Sequence, residues 1–316
     1  MSLIERAIER LNDPAEPAKA AAPSATTEDG ARSTIERLAD RVRTPADTVV
    51  EKPVLPPDPP APAGPLPDPV RIDLEGLRTR GLVVPNGPAT RSAHEFRIIK
   101  RPLLSNAFGR GDQDPVRNGK RVMVTSSLPG EGKSFTSINL AMSIAAERDH
   151  RVLLIDADVA HPTIPGELGI QVKAGLMDWL IDGGPDLSQL ILPTNVETLS
   201  LLPAGRQDEH ATEWLASEAM SRLLDELSMR YPDCVLIFDS PPLLVTTEAR
   251  VLASYMGQIV MVVEAGTTAR ETVSQALATI SANEIVGLVL NKANNTERNG
   301  YYQGYGYGYG YGFAAA

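Results

Sequence analysis

Nine residues, Ser126-Ser127-Leu128-Pro129-Gly130-Glu131-Gly132-Lys133-Ser134, constrain the fold of this chain more than any other stretch. An apolar run from Val122 to Thr125 leads into them, and a helical pattern through Ile138, Leu140, Ala141, Ile144 and Ala145 leads out. Strand, glycine-bearing loop, Lys-Ser and helix form the layout of a phosphate-binding loop. Successive loop N–H groups and a helix N-terminus aim at one place, and that place favours an anion. Gly130 and Gly132 let the backbone close round phosphates without a Cβ in the way. Lys133 has the reach for terminal phosphates, and the Ser134 hydroxyl suits Mg²⁺. The usual pattern has a glycine five residues before Gly132, where Ser127 stands. An ordinary strand-to-helix turn also fits Gly-x-Gly-Lys-Ser alone, so the residues downstream must decide.

From Lys120 onward the chain alternates apolar runs and helical patterns. The strand candidates are Val122–Thr125, Val152–Ile155, Thr198–Leu202, Val235–Phe238, Ile259–Val263 and Val286–Leu290. Helical patterns over 134–147, 213–229, 245–255 and 269–282 separate most of them. The runs are continuous rather than alternating, which predicts strands buried on both faces. The fold class is therefore α/β, a mostly parallel sheet covered by helices on both faces. Ligands bind such sheets beyond the carboxyl ends of the strands. Asp156-Ala157-Asp158 follows the second strand, Asp239-Ser240-Pro241-Pro242 the fourth, and Asn291-Lys292 the last. Three carboxylates on the edge that carries the phosphate loop predict a Mg²⁺ and acid/base cluster.

The segments outside this rhythm read differently. Residues 2–11 and 33–43 each place apolar side chains on one helical face, predicting two short amphipathic helices on a flexible arm, residues 1–43. Thr44 to Pro69 is thick with proline, and a linker without a core is expected over 44–90. A helix is expected over 92–104, stopped by Pro102. The core domain then runs from 91 to 299 and a Tyr/Gly tail from 300 to 316. Six of the eight tyrosines, Tyr301, Tyr302, Tyr305, Tyr307, Tyr309 and Tyr311, lie in that tail, with glycine at every other place from Gly304. Such a segment is either a sticky low-complexity tail or a flexible substrate.

Composition sets outer bounds. A formal net charge of −10 disfavours a nucleic-acid partner. The single Cys234 excludes an internal disulfide and reads as a buried thiol. No apolar stretch approaches the ~20 residues of a membrane span, and no signal-peptide core is evident. A soluble, cytoplasmic protein is expected, reaching a membrane only through a partner.

The loop, Asp-x-Asp and apolar-Asp-Ser-Pro-Pro, in that order, resemble the bacterial tyrosine kinases of polysaccharide export, P-loop proteins related to the partition ATPases. The resemblance covers roughly residues 90 to 312. The opening Ser-Leu-Ile-Glu-Arg-Ala, the stretch Phe-Arg-Ile-Ile-Lys-Arg-Pro-Leu-Leu and the run Ser200-Leu-Leu-Pro-Ala-Gly205 are similar to the exosortase-associated autokinase subgroup. The resemblance implies a P-loop NTPase fold, ATP and Mg²⁺ as cofactors, and tyrosine autophosphorylation of the tail that regulates exopolysaccharide synthesis. It implies a nucleotide site of Ser127, Pro129, Gly130, Glu131, Gly132, Lys133, Ser134, Phe135 and Asn291, the last against adenine. It implies metal ligation by Ser134, Asp158 and Asp239, catalytic roles for Lys133, Asp156, Asp158 and Asp239, and Asp156 as acceptor of the tyrosine proton. It also implies a membrane-embedded polysaccharide co-polymerase as adaptor, a position at the inner face of the plasma membrane, and a homo-oligomer.

Two departures stand out. The family often has Arg-Arg where Ala160-His161 stands. Its Glu-x-x-Arg-x-x-Arg assembly helix is here His94-Glu95-Phe96-Arg97-Ile98-Ile99-Lys100, with glutamate displaced by one and lysine last. A partition-type ATPase acting as a spatial switch is the alternative. That group has a lysine where Leu128 stands and, in membrane-binding members, a terminal amphipathic helix. A kinase-dead scaffold is the third reading.

Overall fold

The computed structural model describes residues 67–111, 113–183, 186–280 and 285–293. The two N-terminal helices, the proline run up to residue 66, and the tail with its six tyrosines lie outside the described residues. Seven strands form one sheet: β1 Arg121–Ser126, β2 Arg151–Asp156, β3 Leu192–Pro193, β4 Leu199–Leu202, β5 Cys234–Asp239, β6 Gln258–Glu264 and β7 Ile285–Asn291. Their order is β3-β4-β2-β5-β1-β6-β7, and every neighbouring pair is parallel except β3 with β4.

Side chains of successive strand residues point to opposite faces, and both faces here are apolar. Met123, Leu153, Ile155, Leu236, Phe238 and Met261 pack with the helices Leu176–Asp182, Ala211–Leu215, Glu218–Arg230 and Thr247–Ala253. Val122, Val124, Leu154, Ile237, Val260 and Val262 pack on the other side with Leu74–Thr79, Arg91–Phe108 and Lys133–Ala145. The Lys133–Ala145 helix is buried at every residue from Thr136 to Ala145, between the sheet and the Arg91–Phe108 helix. It is thus fixed along its length, and its N-terminus is a rigid mount for the loop before it.

Four expectations change. Residues 70–84, assigned to the linker, are packed: Ile72 and Leu77 are 1% exposed, and the Asn195 side chain bonds both the N–H and C=O of Ile72. Proline density hid a short apolar pattern that finds its partners across the sheet edge. Pro102 does not stop its helix, which runs from Arg91 to Phe108. Proline removes the bond to the carbonyl four residues back, but Pro102 and Ile98 both lie on the exposed side, where water can serve that carbonyl. Leu103, Leu104 and Ala107 bury beyond it and hold the extra turn. The expected 213–229 helix is two helices, Ala211–Leu215 and Glu218–Arg230, broken at Ser217, whose ψ of 164° is extended. Finally, β7 is not buried on both faces. As the edge strand it leaves Leu288 and Leu290 60% and 56% exposed.

The assembly-motif helix carries a further correction. Glu95 bonds Arg91 one turn back at 3.0 Å. Lys100 turns inward, 4% exposed, donating to the Ser143 carbonyl at 2.5 Å and pairing with Glu147 at 2.6 Å. Lys100 is therefore an internal brace between two helices and not a surface contact. Among the described residues no helix is long and apolar enough to cross a membrane.

Breaking that brace from one side strands a buried ammonium. Glu147→Ala is expected to lower stability by about 1–3 kcal/mol, and Lys100→Met in the same chain to recover most of the loss. Urea unfolding midpoints of the single and double variants check this, and equal losses in both would contradict it.

Candidate active site

Parallel register brings the strand ends together. Asp156 of β2 pairs with Asp239 of β5, and Val124 of β1 pairs with the same Asp239. Neighbouring strands lie ≈ 4.7–4.9 Å apart, so two carboxylates stand side by side at the carboxyl edge. Several bonds hold the chain beyond β5 against β1. The Ser240 N–H donates to the Val124 carbonyl at 3.1 Å, the Leu243 N–H to the Ser126 carbonyl at 2.9 Å, and the Thr125 hydroxyl to the Pro241 carbonyl at 2.8 Å.

The loop is built on two left-handed glycines, Gly130 at φ 85° and Gly132 at φ 98°. Gly132 also sits at the N-cap of the Lys133–Ala145 helix, and a Cβ there would lie 2.0 Å from Asn291 Nδ2. Both its conformation and its neighbour exclude a side chain. Pro129, Gly130 and Phe135 lie at the exposed rim, Ser127 is fully buried, and Glu131 is 2% exposed with its carboxylate turned into the protein. The first-turn N–H groups of the helix have no carbonyl within the helix to meet, and they face the strand-end carboxylates' side of the sheet.

Lys133 Nζ bonds Asp158 Oδ2 at 2.6 Å, and Asp158 Oδ1 accepts from the His161 N–H at 3.3 Å. Asp239 Oδ1 accepts from the Ser137 hydroxyl at 2.9 Å, and Asp156 Oδ2 from the Ile164 N–H at 3.1 Å. The other oxygens, Asp239 Oδ2 and Asp156 Oδ1, are buried without a hydrogen-bond partner. Burial, reinforced by the Asp239 and Asp158 charges, pushes Asp156 up to about 7 against the Ile164 N–H and Lys133. Burial likewise pushes Asp239 up to about 6, against Lys133 and the Ser134 and Ser137 hydroxyls. The site thus concentrates under-bonded carboxylate oxygen beside one lysine, an arrangement that a hard cation completes.

The donor set fits Mg²⁺. Ser134, Asp158 and Asp239 all supply oxygen at the same edge, and Mg²⁺ takes most of its remaining ligands from water and phosphates. Among the described residues no cluster of three or more His, Cys, Asp or Glu forms a metal cage by itself. Asn291, expected at a base, donates from Nδ2 to the Glu131 carbonyl at 2.8 Å and so lies directly on the loop.

Two supporting residues escaped the sequence reading. Ser137 stands four residues after Lys133, one helical turn on, which is the spacing that faces the same side; that signal was available. Thr163, whose hydroxyl donates to Ser134 Oγ at 2.9 Å, lies 29 residues away, and only the fold brings it there. Ala160, where an arginine was missing, offers its carbonyl to Gln207 at 3.0 Å. Cys234 is buried, with its thiol pushed up to about 12 by burial, which excludes it as a nucleophile.

Residues 119–289 match the family model described as an AAA domain. The chain is 31% identical over 228 residues to tyrosine-protein kinase YwqD of Bacillus subtilis, covering 71% of this chain and 91% of that protein. Among solved structures it is similar to the chimeric protein CapA2B2, at TM-score 0.57 and 27% identity, covering 71% of this chain and 93% of that one. It is also similar to the VpsO kinase domain, at TM-score 0.54 and 30% identity, covering 64% and 96%.

The raised carboxylates carry a stability signature. A folded value of about 7 against 3.8 for a free Asp156 means that the folded state holds a proton which the unfolded chain releases. Stability is therefore lost as pH rises from about 4 to about 7, by a few kcal/mol at most. Asp156→Asn keeps the acceptor for Ile164 and removes the charge. In nucleotide-free protein it is expected to be more stable than wild type at pH 8 by about 1–4 kcal/mol, with the gap closing towards pH 4. Urea titrations across that range test it, and a pH-independent gap would contradict the burial account.

Proposed function

The chain belongs to the bacterial tyrosine-protein kinases, and on that premise we propose that it is an ATP-dependent autokinase acting on its own C-terminal tyrosines. The observation that carries the reading is the Lys133–Asp158 pair set beside two buried, under-bonded carboxylates, directly beyond a glycine loop. An attacking hydroxyl must give up its proton, and Asp156 beside the loop is the group proposed to take it.

In this reading the loop N–H groups and the helix N-terminus hold the phosphates of ATP, the phosphoryl donor. Lys133 leaves Asp158 for the transferring group, and Asp158, Asp239 and Ser134 would hold Mg²⁺, which when bound would supply charge neutralisation at the phosphates. Asp156 Oδ1 takes the proton of the incoming tyrosine hydroxyl. The tyrosine oxygen bonds the γ-phosphorus as the bond to the bridging oxygen breaks, and ADP leaves with that electron pair. Burial raises Asp156 towards neutrality, where it serves as a base matched to pH 7.

The proposed acceptors are Tyr301, Tyr302, Tyr305, Tyr307, Tyr309 and Tyr311. Asn291 ends β7 against the loop, which supports a tail close enough in sequence to be offered to the site. Ten residues span at most ~33–36 Å, enough to return to this site or to reach a neighbouring copy's. The wider setting we infer is exopolysaccharide synthesis and export, with a membrane co-polymerase as adaptor, a homo-oligomer, and a place at the inner face of the plasma membrane gained through that adaptor. The N-terminal segment is the proposed docking element.

Wild type incubated with Mg²⁺ and ATP is expected to gain phosphotyrosine mapping within 301–311. Lys133→Met is expected to lose at least ~100-fold in rate, and a chain ending at Asn299 to lose incorporation while still binding nucleotide. Phosphotyrosine persisting in the truncated chain would contradict the tail assignment.

A further inference from the structure

An acidic residue inside a phosphate loop is electrostatically costly, because its charge opposes the anion that the loop collects. Glu131 accepts that cost, and its surroundings show what it does. Its Oε2 accepts from the Leu128 N–H at 2.7 Å. Its Oε1 accepts from the Glu264 N–H at 3.3 Å and from the Thr268 hydroxyl. Among the described residues it forms no ion pair. The carboxylate is spent on three donors, and it joins the loop to the end of β6 and the turn after it.

A second tie comes from the neighbouring strand. Lys292 is one of only three non-glycine residues with positive φ among those described, at 55°. That conformation is uncommon for a lysine and turns its side chain back over the loop. Its Nζ donates to the Gly130 carbonyl at 2.7 Å and pairs with Glu264 Oε2 at 3.0 Å. Asn291, beside it, takes the Glu131 carbonyl, and the Ala265 N–H takes the Asn291 carbonyl at 2.9 Å. Gly130 and Glu131 are thus held on both their carbonyls, and Glu131 on both its side-chain oxygens as well.

The consequence concerns which groups remain for phosphate. The Leu128 N–H is consumed inward by Glu131. With the Gly130 and Glu131 carbonyls drawn towards Lys292 and Asn291, the peptide N–H groups following them are turned the opposite way, since a peptide's C=O and N–H are antiparallel in one plane. We propose that Glu131 and Lys292 are positioning residues for the nucleotide, a clasp that turns loop carbonyls away from the phosphates and loop N–H groups towards them. This rests on the phosphate-loop reading above. On this proposal Glu131 meets the nucleotide through its N–H and not through its side chain, whose carboxylate faces the opposite way.

Glu131→Gln discriminates sharply. The two carboxylate oxygens face donors on both sides, so an amide satisfies one side and sets its NH₂ against an N–H on the other. Full-length protein titrated with fluorescent Mg²⁺·ADP should show Glu131→Gln binding at least tenfold weaker than wild type. Lys292→Met should bind several-fold weaker and Lys292→Arg near wild type, and catalysis at saturating ATP should fall much less than affinity. Leu224→Val, a core change remote from the loop, reports what loss of stability alone does. Affinities for Glu131→Gln and Lys292→Met within twofold of wild type would overturn the clasp. So would an equal loss in Leu224→Val at matched thermal midpoint. If Glu131→Gln fails to fold, Lys292→Met and Lys292→Arg decide alone. Wild type that does not bind Mg²⁺·ADP would instead overturn the phosphate-loop reading, and the clasp with it.

Discussion

The structure turns on the burial of two adjacent carboxylates. Parallel pairing of β2 with β5 sets Asp156 beside Asp239, 1% and 0% exposed, and each keeps one oxygen without a partner. A free protein gains nothing from this arrangement, which opposes folding near neutral pH. It persists because the strands that carry it lie at the centre of the sheet, with apolar helices over both faces. The core thus holds in place a charge cluster that solvent would otherwise disperse, and such preorganised charge is what phosphoryl transfer requires. Lys133 and the two serines beside Asp239 offset part of the burden, and a bound cation would offset more.

The loop obeys a related constraint. A glycine-rich turn has many conformations, and only a few aim their N–H groups at one point. Here the turn is held from behind by the buried helix that follows it, from below by β1, and from the side by Glu131, Asn291 and Lys292. The ties from β6 and β7 cross 133 to 162 residues of sequence. The edge strand β7, which contributes little to the core, thus ties the loop through its final residue Asn291 and through Lys292 just beyond it.

Much of this was legible in the sequence, for a physical reason. Strands buried on both faces are written as unbroken apolar runs, and a parallel sheet places its ligand groups just past each run. Asp156, Asp158, Asp239 and Asn291 could be read off in that way. What could not be read depends on distant partners. Residues 70–84 looked like linker because prolines surround them, and only the fold shows Ile72 and Leu77 buried and Asn195 bonded to Ile72. Pro102 would end an isolated helix, yet burial of the next turn carries the helix past it. Lys100 looked like a weakened surface motif until Glu147 and Ser143 drew it inward. Glu131 was legible as a member of the loop, but the brace made by its side chain depends on donors in β6 and the turn after it. In β3 two residues pair antiparallel with β4, too short a run to leave any periodicity.

Tyrosine, and not water, is the acceptor that this edge is expected to serve. The most direct measurement follows the γ-phosphate of labelled ATP in purified full-length protein and divides it between protein-bound phosphotyrosine and free phosphate. Most of the label transferred in the first turnovers is expected on tyrosine. Free phosphate released with no label on the protein would contradict it, and would recast the same loop and carboxylates as the site of a partition-type switch ATPase.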